Sequence, residues 1–206
     1  MIVKQLTLGM VQTNCYIVGC QETGEGVIID PADEGELILA QVRETGLTIK
    51  YVLLTHAHFD HILANETVVK ATGAPLALHP LDLPLLRANG GAAFFGLDAP
   101  ASPEPDMELA EGDTISFGGH TLEVLYTPGH TPGHVSFYER NAGVIFDGDV
   151  LFASGIGRTD LPGGDFETLM HSIQEKLMTL PDDTTVCSGH GPVTTIGRER
   201  AGNPWL

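Results

Sequence analysis

Apolar residues fall in short runs separated by turns rich in glycine, proline and polar residues. Residues 2–8, 14–19 and 26–30 read as an opening strand meander, with turns at Gly9 and at Glu22–Gly24. Asp33 followed by Glu36 has the spacing of a capping box. Leu37, Ile38 and Val42 then recur at helical intervals up to Gly46. Tyr51-Val52-Leu53-Leu54 is a short buried strand that ends on Thr55, a helix is expected over 62–72, and 75–78 is another strand. The stretch 88–106 is rich in Ala, Gly and Pro without periodicity, so it reads as a loop lying over a site. Strands resume at 114–117, 121–126, 134–138 and 143–147. Asp165 starts a helix with Phe166, Leu169, Met170, Ile173 and Leu177 as its apolar positions, and Pro181 stops it. A last strand lies near 184–186 and a final helix over 194–201.

Strands and helices interleave in both halves, and no linker or charge run divides them. The pattern predicts a single α/β domain over residues 1–206, with two packed sheets covered by helices. At 206 residues, 42% apolar and 18% charged, the chain can bury a core without disulfides. Three cysteines, Cys15, Cys20 and Cys187, make no disulfide framework and suit a reducing compartment; Cys187 reads as a buried structural thiol. No apolar run is long enough to span a bilayer, and Met1–Leu6 lacks a signal-peptide pattern, so a cytoplasmic location is expected. The net charge of −17 disfavours nucleic acid and anionic membranes as partners. Part of that acidity is the expected signature of carboxylates that bind dications.

The candidate chemistry sits in Thr55-His56-Ala57-His58-Phe59-Asp60-His61, where four ligand-capable side chains fall within six residues directly after an apolar strand. In an extended segment His56, His58 and Asp60 share one side, and a turn at Asp60–His61 brings in the fourth group. So many ligands on one short loop suit two adjacent ions better than one. Further donors follow other short strands on glycine-rich turns: His130 in Pro128-Gly129-His130, Asp149 in Asp147-Gly148-Asp149 and His190 in Ser188-Gly189-His190. Imidazole and carboxylate donors without thiolate suit zinc, iron or manganese. His79, His120 and His171 read as structural, His134 as structural or supporting, and Asp147 as turned away from the site.

These motifs, in this order along nearly the whole chain, resemble the metallo-β-lactamase superfamily. The resemblance implies a four-layer αβ/βα sandwich with metals at one edge. It implies one ion on His56, His58 and His130, a second on Asp60, His61 and His190, and Asp149 bridging the two. Pro128-Gly129-His130-Thr131-Pro132-Gly133-His134 and Gly157-Arg158-Thr159-Asp160-Leu161-Pro162-Gly163-Gly164 are most similar to the glyoxalase II thioester hydrolases, especially their short bacterial form. Classical members carry a C-terminal helical domain that helps bind glutathione. This sequence ends at Leu206, and that domain is expected to be missing. Arg158 falls where a basic substrate contact is placed; a structural ion pair is the other reading.

Two ions, expected to be zinc, would share a water, lower its pKa to about 7 and present a metal-bound hydroxide. Asp60 would orient it. The thiolate of a small-molecule thioester such as S-lactoylglutathione leaves without a general acid. True β-lactamases are set aside by the carboxylate-rich ligand shell. A persulfide dioxygenase, an iron oxidoreductase of the same superfamily that uses two His and one Asp, is the competing class, and a lactonase a further hydrolytic one. Oligomeric state is not read from the sequence.

Overall fold

The computed structural model describes all 206 residues. The chain opens with an antiparallel meander, β1 (Ile2–Leu8), β2 (Thr13–Gly19) and β3 (Glu25–Ile29). Helix α1 (Gly35–Thr45) crosses to β4 (Thr48–Leu53), parallel to β3. The one-turn helix α2 (Phe59–Ile62) and α3 (Asn65–Thr72) lead to β5 (Leu76–Leu78), and α4 (Leu83–Arg87) precedes β6 (Met107–Glu108). These six strands form one mixed sheet in sequence order. The second sheet begins with β7 (Thr114–Phe117), β8 (His120–Tyr126), β9 (Val135–Glu139) and β10 (Val144–Gly148), antiparallel to one another in turn. A small hairpin, β11 (Leu151–Phe152) with β12 (Gly155–Ile156), and helix α5 (Phe166–Ser172) follow. β13 (Thr185–Ser188) then returns parallel to β10, β14 (Thr194–Thr195) pairs with it, and α6 (Ile196–Gly202) ends the fold.

Three buried clusters define four layers. Ile17, Ile28, Val52 and Leu76 pack under Ile38, Val42 and Val68 of the first helix layer. Val27, Ile29 and Leu53 face Leu122, Val124, Phe137 and Phe146 between the sheets. Tyr138, Ile145 and Val186 pack under Leu169, Ile173 and Ile196 of the second helix layer. The two-residue alternation explains why Val27, Ile28 and Ile29 are all apolar: successive side chains enter different cores, and both faces are covered. This is the expected αβ/βα sandwich. No helix is long and apolar enough to cross a membrane.

Four expectations differ in detail. The capping box is absent: α1 starts at Gly35 with no side-chain cap, and the Asp33 carboxylate instead accepts the Glu34 N–H at 2.6 Å. The helix placed at 62–72 is split, because the N–H groups of Leu63 and Ala64 turn aside to the carbonyls of Ala32 and Pro31. The stretch 88–106 is not all loop: residues Asn89–Phe95 form a kinked 3-10 segment, with Gly90 and Gly91 at positive φ. The last helix starts at Ile196, since Thr194–Thr195 pair with β13 and the Thr195 hydroxyl accepts the Arg198 N–H at 3.2 Å.

Replacing Phe137, fully buried between the sheets, with Ala should lower unfolding free energy by about 3–5 kcal/mol in urea titrations with an unchanged m-value. Leu81→Ala at an exposed position should stay within about 0.5 kcal/mol of wild type.

Candidate metal centre

The site lies at one edge of the sandwich, where strands from both sheets end. β8, β10 and β13 run in the same direction, so His130, Asp149 and His190 all emerge at the same edge. The segment after β4 meets them there, and the two sheets are joined at this point by Val135 N–H donating to the Thr55 carbonyl at 2.8 Å. β2 closes the other side: Asn14 N–H donates to the Gly189 carbonyl at 2.7 Å, and Thr13 bridges to His190.

All seven sequence-predicted ligand candidates converge. The ligand atoms of His56, His58 and His130 lie within 4.8 Å of one another, as do those of Asp60, His61 and His190. Asp149 stands between the groups: Oδ2 is 3.5 Å from His130 Nε2 and from His190 Nε2, and Oδ1 is 3.5 Å from His61 Nε2. His58 Nδ1 and His130 Nε2 are 2.8 Å apart, and His190 Nε2 is 3.2 Å from Asp60 Oδ2. The local geometry differs from the extended reading. His58 is extended, but Asp60 and His61 belong to the first turn of α2. From that turn His61 Nε2 comes to 3.6 Å from Asp60 Oδ2.

The buried polar atoms left without hydrogen-bond partners include His56 Nε2, His61 Nε2 and Asp149 Oδ1. Buried polar atoms in folded proteins are normally paired. Three unpaired ones, facing a common space and all good donors to a dication, fit a metal-binding centre. Glycine at 189 keeps that space open, because a Cβ there would collide with Asp149 Oδ1 and His61.

The partners behind the ligands fix which nitrogen faces inward. Asp30 Oδ1 accepts the Thr55 N–H at 2.7 Å, and Oδ2 accepts the Thr55 hydroxyl at 2.7 Å and His61 Nδ1–H at 3.0 Å. With its proton given to Asp30, Thr55 Oγ1 accepts from His56 Nδ1 at 3.0 Å. Asp30 lies within ligand reach of His56 and His61, but its oxygens are engaged, so it supports ligands rather than acting as one. His130 Nδ1 donates to the Arg158 carbonyl at 2.7 Å. His134 is a supporting group: its Nε2 accepts the Asp149 N–H at 3.1 Å, with Thr127 Oγ1 3.0 Å from its Nδ1. Asp82 joins two ligand loops, accepting from Ala57 N at 3.0 Å, Thr131 Oγ1 at 2.8 Å and Gly133 N at 2.6 Å.

Asp30, Thr55, Asp82 and Thr13 were not singled out from sequence as site residues. Asp30 carried a readable signal, an acid directly after the apolar run Gly26-Val27-Ile28-Ile29 beside the strand that leads to His56. Asp82 carried none, since its partners are distant in sequence. The groups set aside stay outside the site. Asp147 turns back to accept the Leu151 N–H at 2.9 Å, His120 lies 3.2 Å from Glu139, and His79 stacks on Tyr126. Burial pushes the Cys187 thiol up to about 12, as fits a structural residue.

Charge is divided within the centre. Burial pushes the imidazoles of His56 and His58 down, helped by neighbouring histidines, and His58 falls to about 3. Burial works against ionisation of Asp60 and Asp149 too, but His61 acting with His190 and Thr13 on Asp60, and with His130 and His190 on Asp149, holds Asp60 at about 2 and Asp149 well below the usual carboxylate range. Burial also opposes charge on His61, yet the carboxylates of Asp60 and Asp149 raise its pKa well above the ordinary histidine value. His56 and His58 are therefore neutral, while Asp60 and Asp149 are carboxylates beside a protonated His61.

A cavity of about 300 Å³ opens over these groups. Its walls are Met10, Val11, Phe59, Phe95, Leu97 and Leu161, with Arg158 at the rim, and the 3-10 segment supplies Phe95 as part of the cover. Arg158 forms a two-point pair with Asp160, at 2.7 and 2.8 Å. Arg158 thus takes part in a local ion pair at the edge of the cavity.

Residues 8–190 match the family model of the metallo-beta-lactamase superfamily. The chain is 44% identical to a probable metallo-hydrolase, YqgX, of Bacillus subtilis (98% of this chain, 96% of the relative). It is 41% identical to hydroxyacylglutathione hydrolase GloC of Haemophilus influenzae (95% and 93%), and 36% identical to the mitochondrial persulfide dioxygenase ETHE1 of Mus musculus (94% and 71%). Among solved structures it is similar to BLEG-1, described as a B3 metallo-beta-lactamase, with a TM-score of 0.94, 42% identity and coverage of 100% and 99%. It is also similar to TTHA1623 in a di-iron-bound form, with a TM-score of 0.91, 46% identity and coverage of 99% and 100%.

Thr55→Val, which removes the link from Asp30 to His56, should fold with an unaltered circular dichroism spectrum. It should bind metal about 10–100-fold more weakly in competition with a chelator. Because His61 holds a proton in the metal-free protein and must lose it to ligate, metal uptake at pH 7 should release at least about one proton per chain. Affinity should then rise about tenfold per pH unit. Indicator-dye titration in weak buffer measures this, and uptake without proton release would contradict the assignment.

Proposed function

The chain belongs to the metallo-beta-lactamase superfamily, and we propose that it is a binuclear metal-dependent thioester hydrolase of the glyoxalase II kind. It would cleave S-lactoylglutathione or a related acylthiol, R–CO–S–R′ plus water giving R–COOH plus R′–SH. His56, His58 and His130 would hold one dication, Asp60, His61 and His190 the other, with Asp149 between them. Zinc is our expectation for both, with iron or manganese equally compatible with the donor set. The di-iron neighbour supports iron as the alternative. Once bound, such ions supply Lewis acidity at a carbonyl and an acidified water.

The observation that carries the thioester reading is the titratable set of the cavity. It comprises His58, Asp60, His130, Asp149, His190 and Arg158. The first five are ligand candidates, and a guanidinium does not give up its proton near neutral pH. No side chain is left over to protonate a poor leaving group such as an amine. A thiolate, with a pKa near ~8.5, departs without one. Asp60, kept ionised and steered by the Thr13 hydroxyl at 2.7 Å, orients the attacking water. The apolar walls exclude bulk water from the reacting carbonyl. The similarity to GloC supports the same reading.

The persulfide dioxygenase relative favours a second reading, oxygen-dependent oxidation of a glutathione persulfide on iron. BLEG-1 adds a lactam to the substrates worth assaying.

Metal-loaded protein should contain two ions per chain by mass spectrometry and release thiol from S-lactoylglutathione. Chelation should abolish the activity and added dication should restore it. Asp149→Ala should fall to one ion or fewer and lose at least about a hundredfold in kcat. One iron per chain with oxygen uptake on glutathione persulfide, and no thioester turnover, would replace this reading with the second. Turnover of a cephalosporin alone would replace it with lactam hydrolysis.

A further inference from the structure

A second pocket of about 180 Å³ adjoins the metal-centre cavity, lined in part by Leu8, Leu63 and the backbone turn at Gly9. Met10, Val11, Phe59, Asp60 and Leu97 wall both. The two spaces are therefore arms of one groove that meet at the Asp60 side of the centre. The arms differ in charge. One carries Arg158, the only Lys or Arg in either lining, together with Asp60 and Asp149 of the centre. The other combines Leu8, Met10, Val11, Phe59, Leu63 and Leu97 with Thr13 and the carboxylates of Asp33, Asp60 and Asp98.

A thioester whose carbonyl sits at the centre must send its two substituents in different directions. We infer that the Leu8–Leu63–Leu97 arm binds an uncharged aliphatic acyl chain, while the thiol portion takes the Arg158 arm. This rests on the thioester reading above and adds to it a class of acyl group. A thiol bearing carboxylates, as glutathione does, finds the groove's one guanidinium in the Arg158 arm, in exchange for Asp160, whereas the other arm offers no cation and adds the carboxylates of Asp33 and Asp98. The acyl group is left with the arm that Leu8, Leu63 and Leu97 line. At about 30 Å³ per water-sized group, the space takes about six such groups. That is room for more than a two-carbon hydroxyacyl tail. Met10 and Val11, 77% and 44% exposed, would be covered by a bound chain, so each added methylene removes apolar surface from water on both partners.

The test is a series of acetyl, butanoyl and hexanoyl glutathione thioesters on the metal-loaded protein. Calorimetric binding of S-methyl- and S-hexylglutathione, which cannot be hydrolysed, accompanies it. The expected result is a rise in kcat/KM of about threefold to fourfold per methylene over the first additions, and about tenfold or more tighter binding of the hexyl thioether. Leu63→Asp should flatten both trends. Met10→Asp, at an exposed position that folding tolerates, should do the same. Equal kcat/KM across the series, or trends that neither variant alters, would overturn the acyl-arm assignment while leaving thioester hydrolysis standing. Absence of turnover on every thioester would sink the hydrolase reading, and the acyl arm with it.

Discussion

The site depends on one buried carboxylate. Asp30 has no cation beside it except the His61 ring, and it is almost wholly removed from water. Burying a carboxylate is costly unless its oxygens are bonded. Here the bonds come from the backbone and hydroxyl of Thr55 and from His61. Meeting that requirement fixes the end of β4, the rotamer of Thr55 and the faces that His56 and His61 turn inward. Asp30 itself sits at positive φ, a conformation Asp tolerates better than most residues. Strain and desolvation are both spent on orienting imidazoles.

Much of this was legible in the sequence, and the reason is periodicity. Strands buried on both faces leave unbroken apolar runs, and those of β4, β8, β10 and β13 each lead into a candidate ligand. So the strands β3, β4, β8, β10 and β13 and the seven convergent donors could be read together. What escaped reading depends on contacts distant along the chain. The split between α2 and α3 is made by carbonyls of residues 31 and 32, and nothing within 62–72 announces it. Asp82 acts on residues 57, 131 and 133, so no local pattern marks it. The 3-10 segment at Asn89–Phe95 relies on two glycines at positive φ, and from sequence the same glycines argue for loop.

Relatives described as a hydroxyacylglutathione hydrolase, a persulfide dioxygenase and a B3 lactamase cover most of this chain. The frame of strand ends and buried acids is thus compatible with several chemistries. The walls over that frame, Met10, Phe95, Leu97, Arg158 and Leu161, come from segments outside the regular strands. Such segments can vary without disturbing the Asp30 and Asp82 networks beneath them.

The contact between β2 and the His190 turn has a kinetic meaning. The Asn14 amide binds the carbonyl of Gly191, 177 positions away, and the Thr13–His190 bridge lies beside it. Loops of that span close late and slowly. During synthesis the first sheet can assemble with His56, Asp60 and His61 already arrayed, while the last donor is still to be translated. A chain at that stage would carry an incomplete set of candidate ligands at a sheet edge. The order in which ions and chain segments arrive becomes part of how the finished centre is populated.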